Sequence, residues 1–254
     1  MIEVIGHRGA GGLAPENTLA SFRTAIALGV DAVEFDLHVS RDGELVVIHD
    51  DTLDRTTTGT GRIEALTLEE IRRADAGVKW GPRFAGERVP TLDEVIDLVG
   101  ETAPPRFRLN IELKFGAGGK GRPEGFEQKV LEQVREAGML ARTTVQSFHH
   151  PSVALAKRLA PEIRAGLLVE AQEVPANPVP LVRRQGADLY APNYRALNPA
   201  LVEKLHTAGI GILTWTPNTE VDLHRVLDLG VGGFPSDSIT TDFPNRLLGI
   251  LKQG

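Results

Sequence analysis

The feature that most constrains this chain is a short β-branched or apolar run followed by a helical pattern, repeated along its whole length. Strand-like runs read at Glu3–Gly6, Ala32–His38, Phe107–Leu113, Thr144–Ser147, Ile163–Val169, Ala187–Ala191 and Gly211–Thr214, with a last one inside Val231–Thr240. Helical periodicity follows at Glu16–Leu28, Leu92–Val99, Phe126–Ala137, Ser152–Ala160, Pro178–Gln185, Pro199–Ala208, Glu220–Leu229 and Pro244–Leu251. Strict alternation implies a parallel sheet covered by helices. Eight such units fill a closed TIM (β/α)8 barrel, and 254 residues are enough for one. The expectation is a single catalytic domain over residues 1–254. An open doubly wound sheet shows the same alternation, and strand count alone does not demonstrate closure.

One stretch breaks the alternation. Residues 51–90 lie between the second strand and its helix, too long for a plain connection. They are expected to form a small inserted subdomain, or a cap over the C-terminal mouth where substrate loops of a barrel lie. Asp42-Gly43, just before it, reads as a turn that folds Glu44–Ile48 back as a hairpin strand ending in His49-Asp50.

Composition narrows the function classes. A formal net charge of −6 argues against a general nucleic-acid binder. No apolar run approaches the ~20 residues of a membrane span. There are no cysteines, which removes disulfides, thiolate metal sites and thiol nucleophiles together. With no secretory leader at the N-terminus, a cytoplasmic location is expected.

The chemistry concentrates at strand ends. Glu34 and Asp36 are two apart in a strand and so share a face. The hairpin at Asp42-Gly43 brings His49 back beside them as a proton-transfer group. Glu112-Leu113-Lys114 repeats the spacing on a later strand. Helices cover the outer side of a barrel strand, so Glu112 and Lys114 are expected to face inward and join the other acids. Three carboxylates without sulfur suit one hard divalent cation, Mg²⁺ or Ca²⁺, rather than zinc. With Arg8 and Lys114 added, the site carries about one positive charge, which a phosphodiester monoanion would neutralise. His7-Arg8-Gly9 closes the first strand, where parallel sheets build active sites. Gly9–Ala14 superficially satisfies a dinucleotide-binding G-x-G-x-x-G/A pattern. Pro15-Glu16-Asn17-Thr18 after it places the helix start too late, so a nicotinamide oxidoreductase is the less favoured reading.

These residues, taken in order, carry a resemblance. His7-Arg8-Gly9, Pro15-Glu16-Asn17-Thr18, Glu34-Phe35-Asp36, His49-Asp50, Arg55-Thr56-Thr57-x-Gly59-x-Gly61, Ile111-Glu112-Leu113-Lys114, Gln146-Ser147-Phe148 and Trp215-Thr216-x-Asn218 resemble the glycerophosphodiester phosphodiesterase family over nearly the whole chain. The family is a TIM barrel with an insertion after its second strand. The resemblance implies metal-dependent hydrolysis of glycerophosphodiesters to glycerol 3-phosphate and an alcohol, a place in lipid and glycerol metabolism, and a small-molecule substrate. It implies that Glu34, Asp36 and Glu112 hold the metal, that His7 and His49 are the acid–base pair, and that Arg8 and Lys114 bind the phosphate. Trp215 would wall the glycerol. Water and the glycerol 2-hydroxyl both remain open as nucleophile. Related barrel enzymes acting on lysophospholipids (lysophospholipase D) or phosphoinositides are the alternative. His38 is expected to be structural, and His149-His150 to open the next helix. Gly116–Arg122 lacks the Walker spacing and reads as a flexible loop. Gly230–Asp242 is longer than the usual last-strand pattern and contains Pro235, so a bulged strand or a loop over the mouth, Phe234 to Ser238, is expected there.

Overall fold

The computed structural model describes residues 2–115 and 123–253. Nine strands form one sheet: β1 (Glu3–Gly6), β2 (Ala32–Val39), β3 (Leu45–Val47), β4 (Arg108–Leu113), β5 (Thr143–Ser147), β6 (Arg164–Val169), β7 (Leu189–Pro192), β8 (Gly211–Trp215) and β9 (Ser238–Thr241). All but β3 are parallel to their neighbours. The order β1-β9-β8-β7-β6-β5-β4-β2 is closed by pairing of β1 with β2, at Ile5↔Ala32, and with β9, at Val4↔Ile239. That is the closed eight-stranded barrel, and the open sheet is excluded. β3 is the hairpin strand, antiparallel to β2 at Leu37↔Val47.

The helices α1 (Leu19–Leu28), α2 (Leu68–Ile71), α3 (Leu92–Thr102), α4 (Phe126–Glu136), α5 (His150–Leu159), α6 (Val179–Gln185), α7 (Pro199–Thr207), α8 (Glu220–Asp228) and α9 (Pro244–Gln253) follow the strands. Their starts are written in the sequence. Thr91 and Glu94 make a reciprocal capping box at α3, and Asn198 with Pro199 opens α7. α1 begins at Leu19 rather than Glu16, because Thr18 turns its hydroxyl to the Ser21 N–H and takes the N-cap position. This late start also rules out a helix running out of the glycine stretch at Gly9–Gly12.

Period-two alternation divides each strand between two cores. On β2, Val33, Phe35 and Leu37 point outward into the main cluster with the helices. Ile5, Ala32, Leu168, Leu189, Ala191 and Leu213 fill the barrel itself, with Trp215 packed on them. The inward set therefore also includes Glu34 and Asp36 on β2, and Asn110 and Glu112 on β4. Residues 51–90 contribute to a separate small core of Val46, Ile48, Leu53, Ile63, Ile71, Ala74, Ala76 and Val89.

The segment Gly230–Asp237 departs from expectation. It precedes β9 and so lies at the N-terminal floor of the barrel, opposite the mouth. The buried Asp237 carboxylate accepts from the Ile212, Gly232 and Phe234 N–H groups and lies 3.0 Å from His206. β9 itself pairs regularly with both neighbours, with no bulge. The expected loop over the mouth is thus a floor loop, tied down by one acid. Gly116–Arg122 lies outside the described residues. No helix among the described residues is long and apolar enough to cross a membrane.

Candidate active site

The C-terminal ends of β1, β2 and β4 meet around a cluster of buried charge. After β1 the chain reverses sharply. Gly9 sits at φ +87°, and a Cβ there would meet Ser21 Oγ at 2.5 Å; a Cβ on Gly6 would strike the Gly9 carbonyl. Arg8 itself is held at φ 49°, a region a residue with a side chain adopts only under constraint. The constraint is visible: its N–H donates to Glu34 Oε2 at 3.0 Å, and its carbonyl accepts from the Asn17 N–H at 3.1 Å.

Glu34, Asp36 and Glu112 offer ligand oxygens all within 4.8 Å of one another. They are 1%, 1% and 8% exposed. Burial, then the neighbouring Asp36 and Glu112 charges, pushes the Glu34 carboxyl well above the usual range. Burial likewise pushes Glu112 up to about 7. Asp36 goes the other way. Burial opposes its ionisation, but Lys114 and then Arg8 hold it well below the usual carboxylate range. Lys114 Nζ stands 3.0 Å from Asp36 Oδ1 and 2.7 Å from Glu112 Oε1, and Asn17 Nδ2 donates to Asp36 Oδ2 at 2.7 Å. Two of the three acids thus resist ionisation in this protein alone. An all-oxygen donor set in which burial raises two carboxyls fits a hard divalent cation, whose charge would favour their ionised forms.

Each histidine at the site is oriented by its own carboxylate. His7 Nδ1 lies 2.6 Å from Asp242 Oδ1, with Nε2 directed toward Glu34 Oε2 at 3.9 Å. Asp242 immediately follows β9, the strand beside β1, and also accepts from Asn218 Nδ2. His49 Nδ1 lies 2.7 Å from Asp50 Oδ1. Burial and the Lys114 charge push His49 down to about 4, so it is neutral at pH 7. With Nδ1–H donated to Asp50, its Nε2 lone pair is left free to accept a proton. Asp50 is gripped by Arg55 through Nε at 2.6 Å and Nη2 at 2.9 Å. Arg55 also holds both Glu16 oxygens at 2.8 Å, and Glu16 in turn accepts from Arg8 Nη1 at 2.6 Å.

These groups surround a solvent-open cavity of about 490 Å³. His7, Arg8, Glu34, His49, Glu112, Lys114 and Trp215, all singled out in the sequence, line it together, while Asp36 lies beneath, bonded to Lys114. The opposite wall is Gln146, Phe148, Leu168, Glu170, Trp215 and Thr216. Trp215 is fixed by its Nε1–H donating to the Ala191 carbonyl at 2.9 Å, and by the edge-on Phe148 ring at 5.6 Å. His38 stays out of the cavity, its Nε2 3.1 Å from the His49 carbonyl. His149 is the N-cap residue of α5, and His150, its first residue, bonds the Leu168 carbonyl at 3.0 Å.

Sequence reasoning left roles for Asp242, Asp50, Asn17, Glu16 and Arg55 unassigned. Asp50 was readable as the acid next to a histidine. Asp242 was readable only through closure, as the residue past the last strand beside the residue past the first.

The chain's residues 7–245 match the sequence profile described as the Glycerophosphoryl diester phosphodiesterase family. It is 39% identical over 251 residues to a glycerophosphodiester phosphodiesterase of Caldanaerobacter subterraneus subsp. tengcongensis, covering 99% of this chain and 98% of that one. A phosphodiesterase of Oleispira antarctica, solved in complex with the product sn-glycerol-3-phosphate, superposes with a TM-score of 0.86 at 30% identity, over 98% of this chain and 96% of that one. A glycerophosphodiester phosphodiesterase of Agrobacterium tumefaciens gives a TM-score of 0.78 at 31% identity, over 97% and 99%.

Proposed function

The chain belongs to the glycerophosphoryl diester phosphodiesterase family and is a phosphoric diester hydrolase acting on glycerophosphodiesters; from that premise we propose how its residues divide the work. One divalent cation, Mg²⁺ or Ca²⁺, is held by Glu34, Asp36 and Glu112. Bound there, it supplies charge neutralisation and polarisation of oxygen at the phosphorus centre. Arg8 and Lys114 bind the phosphate oxygens. His49, neutral with a free Nε2, takes the proton of the attacking hydroxyl, whether of water or of the glycerol C2 position, as the new P–O bond forms. His7, set in place by Asp242, delivers a proton to the oxygen of the departing alcohol as the old P–O bond breaks. Trp215 walls the glycerol. Residues 51–90 serve as the cap on this side of the mouth, bringing Arg55 to Asp50 and Glu16. The cysteine-free composition supports action in the cytoplasm.

One observation carries the proposal: two histidines, each with Nδ1 on a carboxylate, flank a buried three-carboxylate cluster with two cations on its rim. The test is release of glycerol 3-phosphate from glycerophosphocholine with chelator, then with Mg²⁺ or Ca²⁺ restored separately. Activity is expected only with metal. His49→Ala should retain metal binding by calorimetry and lose ~10²–10⁴-fold in kcat. Full turnover in His49→Ala, or in chelator, would refute the assignment.

A further inference from the structure

The cavity has two unlike halves. β1, β2 and β4 carry the carboxylate cluster and the phosphate cations. β5, β6 and β8 carry an amphipathic wall, and apart from Trp215 against the glycerol its chemistry is not used by the reaction described above. β6 stands across the barrel from β1 in the strand order. Glu170, the residue after β6, follows Gly166 and Leu168 on the inward face and lines the cavity.

Three acids line this cavity, and two of them, Glu34 and Glu112, belong to the charge cluster. Glu170 makes no side-chain cap bond to the turn it begins, and its carboxylate has no ion pair or hydrogen bond among the described residues. Its backbone is nevertheless anchored, the carbonyl accepting from the Glu173 N–H at 3.0 Å. Beside it on β5's end, Phe148 is left 42% exposed, an unusual expense of apolar surface for a residue at a polar cavity. Phe148 meets Trp215 edge-on, at 5.6 Å and 89°. Trp215 cannot swing away, because its Nε1–H is bound to Ala191.

We propose that Glu170, Phe148 and Trp215 form a subsite for a cationic head group, the substituted ammonium of a choline- or ethanolamine-type alcohol. This rests on the glycerophosphodiester reading above. An unpaired carboxylate lining the same cavity as two aromatic rings is a combination that recognises an ammonium group, through charge and through the negative ring faces. It also solves a placement problem. The glycerol hydroxyls and phosphate are drawn to the cluster, Arg8 and Lys114, so the alcohol portion faces the far wall, with Trp215 at the boundary. An ammonium separated from phosphorus by an ethyl spacer then meets Glu170, while the mouth's cations repel an anionic head group.

The experiment compares glycerophosphocholine with glycerophosphoglycerol, whose head group is neutral, in wild type, Glu170→Gln and Phe148→Leu. Glu170→Gln should lower the ratio of kcat/KM for choline over glycerol substrate about tenfold, through KM. Phe148→Leu should lower it in the same direction. An unmoved ratio, or equal losses on both substrates, overturns the proposal, the latter by placing Glu170 on the shared glycerophosphate part. Calorimetric binding of choline to chelated protein needs no turnover. Wild type should bind it at least tenfold more tightly than Glu170→Gln, and equal binding, or none by wild type, overturns the subsite. If wild type binds choline yet hydrolyses neither diester, the hydrolase reading fails while the subsite stands.

Discussion

Replacing Glu112 by Gln should stabilise the metal-free protein at alkaline pH while removing its response to metal. The folded protein raises the Glu112 carboxyl from its ordinary 4.5 to about 7, chiefly by burial. Between those values the folded chain binds more protons than the unfolded chain, so this group's contribution to stability is present below pH 4.5 and lost as pH rises through 7. At about 1.4 kcal/mol per pH unit, the loss amounts to about 3 kcal/mol. Glu34 is displaced in the same direction by its own burial. His49 acts oppositely, since its depression to about 4 makes stability rise with pH between there and 6.5. The absolute melting curve therefore mixes the two, and the difference between variant and wild type reports Glu112 together with the part of the Glu34 displacement that the Glu112 charge causes, which has the same sign. Gln imitates the protonated carboxyl at every pH. In chelator, the variant minus wild-type difference should grow by about 3 kcal/mol from pH 5 to pH 8.5, or roughly 6 °C in melting temperature. Saturating Mg²⁺ should stabilise wild type at pH 8.5, because it binds only the folded state, and should stabilise the variant far less. Parallel pH curves for the two proteins in chelator would refute the argument that Glu112 is ionised in the fold against its environment.

Two further substitutions address the positioning groups. Asp242→Asn keeps shape but removes the carboxylate that fixes the His7 tautomer, and kcat should fall by roughly 10²–10⁴-fold with calorimetric metal affinity retained; unchanged kcat would remove His7–Asp242 from the mechanism. Arg55→Met releases Asp50 and Glu16 together, so kcat/KM should fall about 10²-fold through displaced His49 and Arg8, and Arg55→Lys should recover little, since Lys cannot form the paired contacts; full rescue by Lys would show that charge alone matters.

What was legible in the sequence follows the range of the interactions involved. β1 ends where its apolar run ends, and β4, β5 and β6 differ by one residue at their starts, because period-two burial is local and strong. Glu34, Asp36, Glu112 and Lys114 were legible for the same reason: an acid on the inward face of a covered strand has few places to go. The sequence pattern puts the start of α1 at Glu16, three residues early, because Pro15–Asn17 reads like a first turn, whereas the Thr18 cap decides the start. Gly230–Asp242 reads as a bulged strand or as a loop over the mouth at Phe234 to Ser238, and the structure shows neither. The composition of Gly230–Asp237 resembles a mouth loop, and only the position of β9 after it fixes it to the floor. Arg55 stood in a motif without a role because its partners, Glu16 and Asp50, come from two different connections.

The long-range contacts are also the ones that finish the site. His7 comes from the first strand and its orienting acid Asp242 from just beyond the last, so the imidazole is aligned only when β1 and β9 pair. On the other side of the cluster, His49, Asp50, Arg55, Glu16 and Arg8 form one continuous chain of charge-assisted bonds. That chain runs from the β2–β3 hairpin through the insertion and back to the turn after β1, where Arg8 is held at positive φ by Glu34. A strained residue persists only where its surroundings over-determine it. Here the surroundings are a metal-ligand candidate on one side and the insertion's arginine on the other. Residues 51–90 are therefore tied through Arg55 to the proposed proton-transfer and phosphate-binding groups. Loosening residues 51–90 should disturb catalysis before it disturbs the fold, because the small core they share with Val46 and Ile48 is a separate cluster from the main core.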